Sequence, residues 1–79
     1  MNDKIRQILK EHGRLTTPVE QLNDESDLYQ AGMTSHASVN VMLALEGEFD
    51  IEFPDSLLNR RSFESIAAIS NAVSQLTGG

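Results

Sequence analysis

The chain has 79 residues, no cysteine and a formal net charge of −6. That length fits one domain, residues 1–79, near the lower limit for a self-sufficient core. The composition excludes disulfides, thiolate metal sites and a catalytic thiol, and its acidity opposes binding to nucleic acid or an anionic membrane.

The first predicted helix covers Asp3 to His12. Ile5, Ile8 and Leu9 recur at helical spacing and Gly13 is a stop. Lys4, Arg6, Lys10 and Glu11 among them leave no signal-peptide core. His12 is placed as a cation in the last turn, favourable to the helix dipole. Arg14 to Thr34 has no sustained period and reads as a loop with short turns, punctuated by Pro18 and by the cluster from Asn23 to Asp27. A loop of about 20 residues in so small a domain must be functional or pinned. Leu15, Val19, Leu22 and Leu28 are spaced as its anchors.

The second helix starts at Ser35 or His36 and runs to Phe49. Val41, Met42, Leu45 and Phe49 share one arc, which is assigned to the core. His36, Val39, Leu43 and Gly47 form an adjacent arc. This arc either packs under the long loop or stays exposed as a docking surface. Pro54 interrupts the chain. Asp55 is expected to cap a short third helix, Ser56 to Asn59, that buries Leu57 and Leu58. Ser62 is expected to cap a fourth, Phe63 to Leu76, with Phe63, Ile66, Ile69, Val73 and Leu76 as its stripe. No strand alternation is visible. The expected fold is therefore all-α, a small bundle of three main helices plus one short helix. The longest strictly apolar run, Val41 to Leu45, is far too short to span a bilayer.

Gly32 breaks the segment before the second helix, and Thr34 and Ser35 are both residue types that cap helix N-termini. A hydroxyl there lies beside unpaired backbone N–H groups and the positive end of the helix dipole, a favourable place for a phosphate. Charge is distributed unevenly around it. No Lys or Arg occurs from Leu15 to Asn59, whereas that stretch holds nine acids: Glu20, Asp24, Glu25, Asp27, Glu46, Glu48, Asp50, Glu52 and Asp55. Such a run is either a solvated face or a field that steers basic partners.

These residues resemble the acyl carrier protein family along nearly the whole chain. The resemblance is densest from Asp27 to Asp55, above all in Val39-Asn40-Val41-Met42-Leu43-Ala44-Leu45-Glu46 and Glu48-Phe49-Asp50-Ile51-Glu52-Phe53-Pro54-Asp55. It implies that Ser35 carries 4′-phosphopantetheine, taken from coenzyme A by a phosphopantetheinyl transferase. The thiol of that arm then bears the cargo as a thioester. Partner binding is implied at His36, Val39, Asn40, Leu43, Glu46 and Gly47. There are departures. Thr34-Ser35-His36 replaces the family's frequent Asp-Ser-Leu, and Asn40 and Gly47 stand where acids are common. With them the chain resembles stand-alone bacterial carriers loaded with an aminoacyl group by a small amino acid:carrier protein ligase. A conventional carrier of fatty-acyl or polyketide chains, served by an acyl-transferring synthase, is the alternative. Outside the class stands a small acidic helical module with no prosthetic group. A carrier of this kind is expected to be cytoplasmic and monomeric.

No catalytic residue is assigned. His36 is the sequence neighbour of Ser35, and neighbours on a helix do not face each other, so it is badly placed as its base. A partner contact or a solvated side chain remains for it. Glu46, Glu48, Asp50 and Glu52 lack the spacing of a calcium loop, and no metal site is expected. Met33, Met42, Phe49, Phe53 and Phe63 are more simply core than a cofactor box. Gly78-Gly79 matches the end of ubiquitin-like modifiers, but those need a strand-rich fold, and a frayed tail is the reading here.

Overall fold

The computed structural model describes residues 2–78. Three α-helices form the bundle: α1 (Asn2–His12), α2 (Ser35–Phe49) and α3 (Ile66–Thr77). Short 3₁₀ turns occupy Val19–Gln21, Asp55–Leu57 and Arg60–Phe63. α1 lies against both α2 and α3. Its apolar stripe, Ile5, Ile8 and Leu9, is buried. Opposite it are Ala37, Val41 and Leu45 of α2 and Ile66, Ile69, Ala72 and Val73 of α3. Met42 and Phe49, assigned to the core arc, are only partly buried and pack against its edge.

The long connection between α1 and α2 is pinned as its apolar spacing required. Leu28 is fully buried, Val19 nearly so, and Leu15 and Leu22 pack against the core. A polar clamp adds to them. The Arg6 guanidinium donates to the carbonyls of Val19 and Leu22, each at 3.0 Å, and to Asp24 Oδ1 at 3.0 Å. One cation thus gathers three points of a chain that has no repetitive structure to satisfy its carbonyls. The Asp24 carbonyl accepts the amide of Ala67 in the first turn of α3 at 2.9 Å, and the Leu28 amide donates to the Glu64 carbonyl at 2.8 Å. Gly32 closes the connection at φ +113°, where a Cβ atom would sit 2.7 Å from the Thr16 amide nitrogen. The amides of Thr16 and Thr17 both donate to the Ala31 carbonyl there. A side chain at position 32 would be strained and would push these apart.

α2 ends on Asp50 in the left-handed region, whose amide donates to the Glu46 carbonyl. The Ile51 amide donates to that carbonyl too, at 3.1 Å, and Glu46 Oε2 accepts the amide of Phe53 at 2.8 Å. Glu46 therefore directs the chain out of α2 and into the core, where Phe53 meets Phe63 with ring centroids 5.4 Å apart.

The segment after Pro54 differs from expectation. The short helix is a 3₁₀ turn that includes Asp55 within it, and no side chain caps it. Leu57 is partly buried but Leu58 is 45% exposed. Ser62 does not cap the last helix. It lies buried in the third 3₁₀ turn, Arg60–Phe63, which Asn59 caps by accepting the Ser62 amide. α3 starts three residues later than expected, with Ser65 Oγ accepting the Ala68 amide at 3.0 Å. Ser62 and Ser65 are equally good caps by residue type. The Phe53–Phe63 contact and the bonds from Glu64 and Ala67 to the long connection decide between them. Gly78 closes α3 in the left-handed region at φ 76°, as glycine does at helix ends. Gly79, the other half of the terminal pair, lies outside the described residues.

Candidate functional site

Three hydroxyls crowd the start of α2, and the structure gives each a different fate. Thr34 is the cap: its extended backbone precedes the helix, and Oγ1 accepts the Ala37 amide at 3.0 Å. Ser38 is half-buried and donates its hydroxyl to the Ser35 carbonyl at 2.7 Å. Ser35, the first residue of the helix, is exposed, and its Oγ has no hydrogen bond among the described residues. The sequence offered Thr34 and Ser35 equally as caps. Because Thr34 takes that role, the Ser35 hydroxyl is left available. Replacing Thr34 by Ala is expected to destabilise the fold by about 1 kcal/mol, read as a lower urea midpoint with an unchanged slope.

Beside Ser35 opens a cavity of about 360 Å³. Its wall combines Ser35, Ser38, Val39 and Met42 of α2 with Tyr29 of the long connection and Leu58, Asn59, Arg60 and Phe63. Most of that lining is apolar. The Arg60 guanidinium lies over the Tyr29 ring, 4.0 Å from its centroid. Sequence reading put no positive charge near Ser35. The fold corrects this, because the turn before α3 brings Arg60 to the rim from 25 positions away in the chain.

The second arc of α2 is exposed. Val39 is 49% and Leu43 is 56% exposed, and His36 and Gly47 lie on the surface with them. A Cβ atom on Gly47 would meet nothing within 4 Å, so that position is bare. Asn40 is half-buried at the border of this face. Glu46 is also half-buried, with its carboxylate engaged by the Phe53 amide as described. His36 has no hydrogen-bonded carboxylate among the described residues, so nothing orients it as a base. Among the described residues, no group of three or more His, Cys, Asp or Glu could hold a metal ion, and no helix is long and apolar enough to cross a membrane.

An exposed, unbonded serine at a helix tip, beside an apolar cavity with a cation on its rim, fits a phosphate-linked arm. A free hydroxyl is the attachment atom such a group needs, and the wall beside it offers one cation, Arg60, and a mostly apolar surface. Comparison with known proteins agrees. Residues 3–73 match the family described as "Phosphopantetheine attachment site", and the chain belongs to that family of carrier proteins. They are substrates and shuttles for enzymes rather than catalysts.

The family includes relatives of a narrower kind. The chain is 56% identical over 79 residues to an aminoacyl carrier protein of Agrobacterium fabrum, covering 100% of this chain and 95% of the relative. It is 58% identical, with a TM-score of 0.91, to a chain in the crystal structure of an engineered Bradyrhizobium japonicum glycine:[carrier protein] ligase complexed with carrier protein from Agrobacterium tumefaciens and AMP; the match covers 94% of this chain and 99% of that one. A more distant match, 25% identical with a TM-score of 0.76, is to a chain in the complex of the Bradyrhizobium japonicum ligase with glycylated carrier protein, and covers 90% of this chain and 95% of that one.

Proposed function

We propose that this chain carries an aminoacyl group as a thioester on a 4′-phosphopantetheine arm attached through Ser35 Oγ. One observation carries the assignment: Ser35 alone of the three neighbouring hydroxyls is both exposed and unbonded. The arm supplies a flexible terminal thiol, and tethering raises the effective concentration of the cargo at each enzyme visited. A phosphopantetheinyl transferase installs it from coenzyme A, and an amino acid:carrier protein ligase loads it. The similarity to carrier chains solved with a glycine:[carrier protein] ligase supports the second step. Residues 1–79 act as one monomeric domain in the cytoplasm.

The residues around the serine serve recognition. Val39 and Leu43 present apolar surface along α2 within reach of a partner seated at Ser35, with His36, Asn40 and Gly47 beside them. Glu46 lends charge at the edge of that face while holding the exit of the helix in place. The chain's net charge of −6 favours partners with basic rims, which bind weakly enough to exchange.

Intact mass spectrometry tests the assignment. The protein is incubated with coenzyme A and a broad-specificity transferase, then with ATP, amino acids and the ligase. The expected result is one phosphopantetheinyl addition localised to Ser35, followed by one aminoacyl addition released by a thiol nucleophile. A chain that stays unmodified is an interaction module without a prosthetic group. A chain that gains the arm but takes only fatty-acyl groups is a conventional acyl carrier. The docking face has its own test. Leu43→Asp is expected to leave the urea midpoint within about 0.5 kcal/mol of the parent, since the side chain is exposed, while slowing ligase loading. Equal loading rates would remove α2 from the interface.

A further inference from the structure

Arg60 is the one cation among the described residues that line the cavity beside Ser35, and no carboxylate pairs with it among the described residues. The ion pairs among the described residues lie elsewhere, all on α1: Lys4 with Glu48, Arg6 with Asp24, Lys10 with Glu20. Arg14, Arg60 and Arg61 have no ion pair among the described residues, and of these three Arg60 is the one that lines the cavity. It is nevertheless held in place, stacked on Tyr29 at 4.0 Å. That contact orients the planar group without using its N–H donors, which stay open to an anion.

We propose that Arg60 grips the phosphodiester of the arm on Ser35, and that Tyr29 pre-positions it to do so, giving the arm a docked state along the cavity. The inference rests on the assignment of Ser35 as the attachment residue. Its geometry is a wall shared by all three side chains. Ser35 and Arg60 border the same cavity of about 360 Å³, and Tyr29 lies in it beneath the guanidinium. A guanidinium matches the paired oxygens of a phosphodiester, and the bond is charge-assisted. Beyond the phosphate, the arm's geminal methyl groups meet Val39, Met42, Leu58 and Phe63, which make the apolar part of the wall. Leu58, 45% exposed in the absence of any cover, gains one. The docked state is loose by design of its parts: Arg60 is exposed and the pair is screened by salt. A partner can therefore draw the arm out.

The test uses the full chain in its modified form, with an isotope-labelled arm, as parent, Arg60→Gln, Arg60→Lys and Tyr29→Leu. Intact mass first establishes that each is fully modified, and peptide fragmentation places the arm on Ser35; a parent that is not modified there overturns the attachment reading and this inference with it. Phosphorus NMR and nuclear Overhauser contacts from the arm's methyl groups to Leu58 and Val39 are then recorded at low and high salt. The docked population in the parent is expected to exceed that of Arg60→Gln by about two- to fivefold at low salt, the range for an exposed ion pair. High salt should lower the parent toward the variant and leave the variant unchanged. Arg60→Lys should restore part of the contact and Tyr29→Leu should weaken it. Phosphorus shifts and methyl contacts that are identical in parent and Arg60→Gln at low salt overturn the proposal. That result would leave Arg60 as a contact for an enzyme rather than for the arm.

Discussion

Ser35→Ala is expected to abolish phosphopantetheinylation and every loading step after it, while the protein stays folded. The chemistry has one attachment atom, and alanine removes it. Neither neighbouring hydroxyl substitutes. Thr34 Oγ1 is committed to the Ala37 amide, and the Ser38 hydroxyl is half-buried and committed to the Ser35 carbonyl. Stability should change by less than about 0.5 kcal/mol, because the Ser35 side chain is exposed, bonds to nothing among the described residues and does not cap the helix. The contrast with Thr34→Ala is the informative part. The serine variant loses modification without losing stability; the threonine variant loses stability and keeps modification. Intact mass and urea unfolding on both proteins decide it. Residual modification of Ser35→Ala would move the attachment to another hydroxyl and end the assignment.

Leu45→Ala is expected to have the largest effect on the fold, a loss of about 2–5 kcal/mol. Leu45 is fully buried on α2, facing the core made with α1 and α3. A domain of this length has a total stability of about 4–12 kcal/mol at the usual value per residue. The substitution therefore removes a large share of that stability, and its urea midpoint, followed by circular dichroism, should fall accordingly. Leu43, two positions away on the same helix, is 56% exposed, and its replacement acts on partners rather than on folding. A loss below about 1 kcal/mol for Leu45→Ala would mean that the core closes around the gap.

The pair Leu43 and Leu45 also marks what periodicity can and cannot say. Helical spacing separates the two arcs of α2 correctly, because angular position on a helix is a local property. Which arc meets the core, and whether the other is covered, depends on what lies opposite. The same limit accounts for Ser62 and Ser65. Both are capping residue types, and the true start of α3 was set by Phe63 packing on Phe53 and by the Asp24 carbonyl meeting Ala67, contacts with residues far back in the chain. Leu58, expected inside, stays out because a 3₁₀ turn rather than an α-helix follows Pro54.

By itself the sequence determined the three helices, their apolar stripes, the anchors of the long connection and Ser35 as the serine of interest. Each of these is written in residues that are neighbours in the chain or one turn apart. Tertiary structure alone decided that Thr34 rather than Ser35 caps α2, that Arg6 clamps the connection through Val19, Leu22 and Asp24, and that Arg60 stands over Tyr29 at the rim of the cavity beside Ser35. The physical reason is range. Helix propensity and periodicity act within a few residues, whereas a cation finds its carbonyls or its aromatic ring only after packing has brought distant segments together.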